Sequence, residues 1–398
     1  MSAARKTTAL TVAVALVAGC GGGTPRRVSL TGTPSPSRID EPVAIRASGM
    51  QDGQTATLDA SWTAFGGVTW KSKLIVHADA NGRVNLQGLE SARVLWSMRP
   101  TGPHRRDAVA FLPPVRGTSR VHLTLRADGA PLARAVLVRR VTDVSVHMQP
   151  LTKSRDGFFG FFFSPAGAQR RPAVLALGGS EGGYGMIDLA GLLASHGHPT
   201  LALAYFRAPG LPSELRNIPL EYFARALRWM RRQPSVDPDR IVALGASRGG
   251  EAALLLASTF PNLLHGAIGL VPSSEVYPSP DGRSPAWTYH ARSVSLAPIP
   301  VERINGPILT VGAGQDAVWP SDTYTQQIEQ RLHEHRFAFP HERFLYADAG
   351  HDVGGAVPLL PQPDPVAVGG SPAASAAAKA SIWPHILNYL RRGVPSAD

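Results

Sequence analysis

Arg240-Ile-Val-Ala-Leu-Gly245-Ala-Ser247-Arg-Gly249-Gly250-Glu251-Ala-Ala-Leu-Leu-Leu256 is the stretch whose reading decides the fold. An apolar, strand-like run enters it, a helix-like run leaves it, and Gly-x-Ser-x-Gly lies between. A bare match to that pattern is common by chance; a strand before it and a helix after it are the context of a nucleophile elbow. The two glycines let strand and helix approach each other. The turn lifts the Ser247 hydroxyl clear of the sheet edge, above a helix amino terminus whose free N–H groups favour developing negative charge.

A serine at its ordinary pKa is a weak nucleophile and needs a base oriented by an acid. On this kind of sheet the chain order is Ser, then Asp or Glu, then His. Pro307-Ile-Leu-Thr-Val-Gly-Ala-Gly-Gln-Asp316 ends a strand-like run with an acid, and Phe344-Leu-Tyr-Ala-Asp-Ala-Gly350-His351 brings a histidine just after the last strand. Asp316 and His351 are therefore the expected acid and base. Asp322 reads as a helix N-cap and Asp348 as a strand end. His333, His335 and His341 read as solvated, and His196 and His198 as lying in a helix-to-strand turn. An oxyanion hole needs two N–H donors. The expected pair is the amide of Arg248 and the amide of Ser180, the latter from the glycine-dense Leu177-Gly-Gly-Ser180-Glu-Gly-Gly183. No G-x-G-x-x-G or G-x-x-x-x-G-K-[ST] runs through that loop, which argues against a phosphate cradle. No cofactor and no metal site is expected.

Around this motif, strand-like runs (Ala173–Leu177, Thr200–Phe206, Ile241–Gly245, Ala267–Val271, Ile308–Gly312) alternate with helix-like ones (Leu220–Arg232, Gly249–Thr259, Asp322–His335, Ala377–Arg391). That rhythm predicts a mostly parallel sheet, an α/β-hydrolase fold, over 151–398. Pro272–Pro300 interrupts it and reads as a cap over an acyl pocket or as a surface insertion. Gly354–Ser375 is expected to line the entrance beyond His351.

Residues 39–150 have another rhythm, short strands broken by turns. Asn81-Gly82 predicts a hairpin between Leu74–His77 and Val84–Leu86, and Asp128-Gly129 one between Val121–Leu125 and Ala135–Val138. An antiparallel β-sandwich with little helix is expected there.

The chain has 398 residues, 40 Lys plus Arg against 29 Asp plus Glu, and is 43% hydrophobic. It is too apolar for disorder. Its net charge of +11 comes almost wholly from scattered arginines, with no basic run of the kind that marks a nucleic-acid tail, so no nucleic-acid partner is expected. Arg5 and Lys6 precede the apolar Thr7–Val17, and Val17-Ala-Gly-Cys20 holds the single cysteine. The apolar run is too short to span a bilayer but suits a signal peptide. Val17–Cys20 resembles a bacterial lipobox. The implied processing removes 1–19, attaches lipid to Cys20, and leaves 20–38 as a flexible tether, with the domains held at the outer face of a bacterial membrane.

Leu203-Ala-Tyr-Phe206, Leu220-Glu-Tyr-Phe-Ala224 and Gly245-Ala-Ser-Arg-Gly-Gly-Glu-Ala252 together resemble the acyl-CoA thioester hydrolase and bile acid-CoA:amino acid N-acyltransferase family. Asp40–Ile45, Ser61-Trp62 and His77–Val84 resemble that family's immunoglobulin-like N-terminal domain. The resemblance implies hydrolysis of an acyl thioester through an acyl-serine intermediate. Family members that transfer acyl groups to amino acids carry cysteine at the position of Ser247, so serine favours hydrolysis. An acyltransferase, an esterase acting on an oxygen ester of the cell envelope, and a non-catalytic envelope lipoprotein are the alternatives.

Overall fold

The computed structural model describes residues 27–103, 110–167 and 169–392. The expected signal peptide and its Cys20 lie outside the described residues. Among the described residues, no helix is long and apolar enough to cross a membrane. The chain divides into two compact units, one running to Arg140 and taking in Leu359–Pro363, the other comprising Val141–Pro358 and the chain from Asp364 onward.

In the first unit, Ser29–Thr33, Ala44–Ser48 and Val84–Leu86 form a three-stranded antiparallel sheet. Six strands form a second sheet in the order Ser37–Arg38, Ala130–Arg140, Ser119–Ala127, Thr55–Thr63, Thr69–His77, Arg99–Thr101, antiparallel except for its first pair. Thr55–Thr63 alternates buried and solvated residues, the period-two pattern of a strand with one covered face. Trp62 and Trp70 are buried and meet Phe111, with ring centroids 4.5 and 5.7 Å away.

Four expectations change here. Residues 29–38, expected within the tether, contribute two strands. Ser-Leu-Thr-Gly-Thr has linker composition, but it buries Leu30 and its strand is paired along its whole length. The Asn81-Gly82 turn forms, with the Asp79 carboxylate accepting from the amides of Asn81 and Arg83, yet it carries the chain from one sheet to the other rather than closing a hairpin. A turn residue fixes local φ, and the pairing partner is chosen by packing. Asp128-Gly129 does close a hairpin, with φ of 49° and 79° and Ala127 facing Ala130. A helix, Gly88–Trp96, interrupts the strands and buries Ser91, Val94 and Leu95, an i, i+3, i+4 face too short to stand out in sequence. Finally, the second unit starts at Val141 rather than after Pro150, because His147–Leu151 pairs with Phe159–Ser164 in its sheet.

That sheet has eight strands, in the order His147–Leu151, Phe159–Ser164, Thr200–Ala204, Arg171–Leu177, Val236–Ala246, Ala267–Leu270, Ile308–Ala313, His341–Tyr346. The last six run parallel, and the first two make an antiparallel edge. Every residue of Thr200–Ala204 and Ile308–Ala313 is buried, which requires cover on both faces. Helices Ile187–Ser195, Leu220–Met230, Arg248–Thr259, Ser321–Glu334 and Pro372–Arg392 supply it. This is a mostly parallel α/β-hydrolase sheet. Ser247 follows the central strand Val236–Ala246, with Asp316 and His351 in loops after the two strands at one edge.

Candidate active site

Ser247 sits between strand Val236–Ala246 and helix Arg248–Thr259 with φ 56° and ψ −123°. Only close packing on both sides holds a non-glycine residue there. A Cβ on Gly245 would overlap the Gly249 carbonyl, and one on Gly249 would overlap the carbonyls of Leu177 and Gly178. The two glycines of the motif thus admit the helix to within backbone contact of the neighbouring strand. The Ser247 amide donates to the Leu270 carbonyl (2.9 Å), which ties the turn to the adjacent strand end. Val271, just past that end, is a β-branched residue with φ 42°, a second strained position beside the elbow.

Asp316 and His351 meet. The His351 Nδ1 lies 2.8 Å from Asp316 Oδ2 and 3.0 Å from Oδ1. The Asp316 carboxylate is 1% exposed against 14% for the imidazole. Its oxygens also accept from the Ser321 hydroxyl (2.7 Å) and from the amides of Val318 (2.9 Å) and Trp319 (3.3 Å). Such a carboxylate is held in one orientation. With Nδ1–H committed to Asp316, Nε2 is the ring nitrogen left to accept a proton. Among the described residues the Ser247 hydroxyl makes no hydrogen bond, so the relay from serine to histidine is not closed in this state. The 3₁₀ turn His351–Gly355 nevertheless packs on the elbow: a Cβ on Gly354 would lie 3.3 Å from the Ala246 Cβ. Lys379 donates to Asp352 at 2.5 Å from the buried side of this turn. Asp348 is exposed, and Asp322 lies in the first turn of Ser321–Glu334; neither bonds His351.

The loop Gly178–Gly185 carries the second expected donor. The Gly179 amide is taken by Glu181 Oε1 (2.8 Å), whereas no described residue accepts from the amide of Ser180. A Cβ on Gly179 would come 3.1 Å from the Ser247 Cβ, so this loop runs against Ser247. Tyr205 donates its hydroxyl to the Gly178 carbonyl (2.5 Å) from a buried position that raises its pKa well above the ordinary value. At the elbow itself, the Arg248 amide opens the helix and has no intrahelical acceptor.

Glu181, Tyr205 and Glu251 had no sequence-level role, though Glu251 had a visible signal: a lone acid in an apolar helix, four residues past Ser247. The stretch Gly354–Ser375, expected at an entrance, packs against the loops of the candidate site. Its Val368–Gly370 portion packs on the loops that bear Asp316 and His351, where the Ala317 amide donates to the Val368 carbonyl and a Cβ on Gly350 would overlap Gly369. His198 is buried in its turn, with Nδ1 near the Pro172 carbonyl (3.3 Å) and its pKa lowered to about 4 by burial. Among the described residues, no group of three or more His, Cys, Asp or Glu side chains could hold a metal ion.

Comparison with known proteins follows the same division of the chain. The mouse acyl-coenzyme A thioesterase 6 is 28% identical over 89% of this chain and 93% of its own length. The mouse peroxisomal succinyl-coenzyme A thioesterase is 27% identical over 90% and 94%. Among solved structures, an esterase of Pyrobaculum calidifontis superposes over 61% of this chain and 86% of its own, with a TM-score of 0.38 at 17% identity. The family model described as "Acyl-CoA thioester hydrolase/BAAT N-terminal region" matches residues 40–153. Its companion, "BAAT / Acyl-CoA thioester hydrolase C terminal", matches 218–274 and 288–395, the segments bearing Ser247, Asp316 and His351. With both halves matched in order, the chain belongs to the acyl-CoA thioester hydrolase and BAAT family.

Proposed function

We propose that this protein is a serine hydrolase that cleaves acyl thioesters. The observation carrying the proposal is the Asp316–His351 hydrogen bond, with its carboxylate buried, in the same unit as a serine strained at the head of a helix. Ser247 Oγ attacks the thioester carbonyl as its proton passes to His351 Nε2, and Asp316 stabilises the imidazolium. The tetrahedral oxyanion accepts from the amides of Arg248 and Ser180. On collapse, His351 returns the proton to the departing sulfur, the thiol leaves, and the acyl group stays on Ser247. Water, deprotonated by the same imidazole, attacks the acyl-serine and releases the carboxylic acid. The mouse relatives, named as coenzyme A thioesterases, support a thioester over an oxygen ester.

The N-terminal unit, with its three- and six-stranded sheets, is read as an immunoglobulin-like β-sandwich. The lipobox at Cys20 makes the protein an exported lipoprotein of the membrane surface; Cys20→Ser should release it into the soluble fraction. The catalytic proposal is tested with Ser247→Ala on a panel of acyl thioesters and nitrophenyl esters, where a loss of about 10⁴-fold or more in kcat is expected. Retention of the parental rate by the folded variant would sink it. Added glycine or taurine should leave free acid as the sole product; an N-acyl product would identify a transferase instead.

A further inference from the structure

Two buried charges stand within one turn of Ser247, outside the proton relay. Arg248 is 7% exposed and Glu251 fully buried, and they pair through Arg248 Nη1 and Glu251 Oε2 at 2.8 Å. Most of their remaining bonds go to the segment Pro272–Pro300. Arg248 Nη2 donates to the carbonyls of Tyr277 (3.0 Å) and Pro278 (3.1 Å). Glu251 Oε1 accepts from the Tyr277 amide (3.2 Å) and from Trp287 Nε1 (2.7 Å). The guanidinium carbon lies 5.9 Å from the ring centroids of both Tyr277 and Trp287. A buried ion pair is a poor source of stability, because desolvation consumes the Coulomb gain, but it is highly directional. Burial raises Glu251 to about 7 and lowers Arg248, against the opposing pull of their mutual attraction.

The direction is informative. The pair grips Tyr277 by both its amide and its carbonyl, and so fixes where the ring stands. That half-buried ring lies 5.8 Å from Trp319, its hydroxyl bonds that of Tyr324, and Trp319 stands edge-on to the His351 imidazole at 5.9 Å. Trp319 is itself fixed by donating Nε1 to the Val271 carbonyl (3.1 Å). The result is an aromatic wall beside the base, built from the inserted segment on one side and the acid loop on the other. Of the two halves of a thioester, the acyl chain is the apolar one, and aromatic faces suit methylenes.

We propose that Arg248 and Glu251 are positioning residues that hold Tyr277 against Trp319, and that these two rings select a medium or long apolar acyl chain over an acetyl group. This rests on the reading of Ser247 as the nucleophile. The test uses the full chain and nitrophenyl acetate and octanoate, with Glu251→Gln, Tyr277→Ala and Tyr277→Phe. Glu251→Gln sets an amide N–H₂ against the guanidinium, and Tyr277→Ala removes the ring. In both, the octanoate-to-acetate ratio of kcat/KM should fall about tenfold, chiefly through KM for octanoate. Tyr277→Phe, which keeps the ring, should restore the ratio to within about threefold of the parent. Limited trypsin digestion gives a readout independent of catalysis. Cleavage after the exposed Arg283 and Arg292 should speed up about tenfold in Glu251→Gln. A ratio unchanged in both variants overturns the selection by Tyr277, and an unchanged cleavage rate overturns the positioning. An equal loss for acetate and octanoate, with loss of fluorophosphonate labelling, would mean that the pair serves the nucleophile and would also overturn the proposal. If the parent neither labels nor hydrolyses any ester, the hydrolase reading fails and acyl selection falls with it, while the tryptic result still decides the hold on Tyr277.

Discussion

Asp316→Asn separates geometry from charge at the proposed acid. Asparagine keeps Oδ1, which accepts from the amides of Val318 and Trp319, so the loop retains its turn. It replaces Oδ2, the oxygen 2.8 Å from His351 Nδ1 and 2.7 Å from the Ser321 hydroxyl, with a donor. Ser321 can adapt, since its Oγ already accepts from the Ala313 amide and can accept again. His351 is less tolerant: at the nearer position Nδ1–H would face another N–H, and the retained Oδ1, 3.0 Å away, already accepts from two amides, so the ring shifts towards the tautomer protonated on Nε2. That nitrogen then carries a proton where it must take one from Ser247. The expected fall in kcat is about 10⁴-fold, equivalent to about 5.5 kcal/mol of transition-state stabilisation. The stability loss should be far smaller, about 1–2 kcal/mol, or about 2–8 °C in Tm. Initial rates with a nitrophenyl ester and an acyl thioester, beside thermal melts, read both quantities. Asp322→Asn and Asp348→Asn serve as controls and should stay within a few-fold of the parent, because neither carboxylate touches the imidazole. Retention of more than a tenth of the parental rate by Asp316→Asn, or a larger loss in Asp348→Asn, would refute the assignment.

Gly179→Ala places a methyl in contact distance of the Ser247 Cβ and of the Glu181 carboxylate; kcat should drop at least tenfold with little change in Tm, and an unchanged kcat would show that this loop does not border the reacting atoms. Two buried groups give opposing pH dependences of stability. Glu251 is raised to about 7, so its contribution is fully present below about pH 4.5 and is lost as pH rises towards 7. His198 is lowered to about 4, so its contribution is present above about pH 6.5 and lost as pH falls towards 4. Melts between pH 4.5 and 7.5 should therefore show a steeper acid loss in Glu251→Gln and a flatter one in His198→Gln, whereas profiles parallel to the parent's would exclude burial as the cause. In the first unit, buried Arg139 donates to the Ser37 hydroxyl and to the carbonyls of Ile39 and Glu41. Arg139→Met leaves those acceptors unpaired and should cost about 2–4 kcal/mol by denaturant melts, with no direct effect on the proposed hydrolytic site.

The strand-to-helix turn at Ser247 and the loop positions of Asp316 and His351 were legible in sequence because each is a local signal: a serine between glycines at a strand-to-helix switch, and an acid and a histidine just past apolar strand-like runs. Periodicity likewise marked five of the six parallel strands and four of the helices, since burial on both faces leaves continuous apolar runs. The sequence could not show that the Asn81-Gly82 turn hands the chain between sheets, because a turn sets φ and ψ while the choice of pairing strand depends on packing from elsewhere. Nor could it show that residues 29–38 leave the tether, as serine and threonine suit linkers and edge strands equally. Which amide of the glycine loop stays free was decided by Glu181, and where Tyr277 stands was decided by Arg248 and Glu251. The second rests on groups 26 to 30 residues apart in the chain, a matter of tertiary distance that no local pattern encodes, whereas the first is a two-residue contact inside a loop whose glycines leave its conformation open.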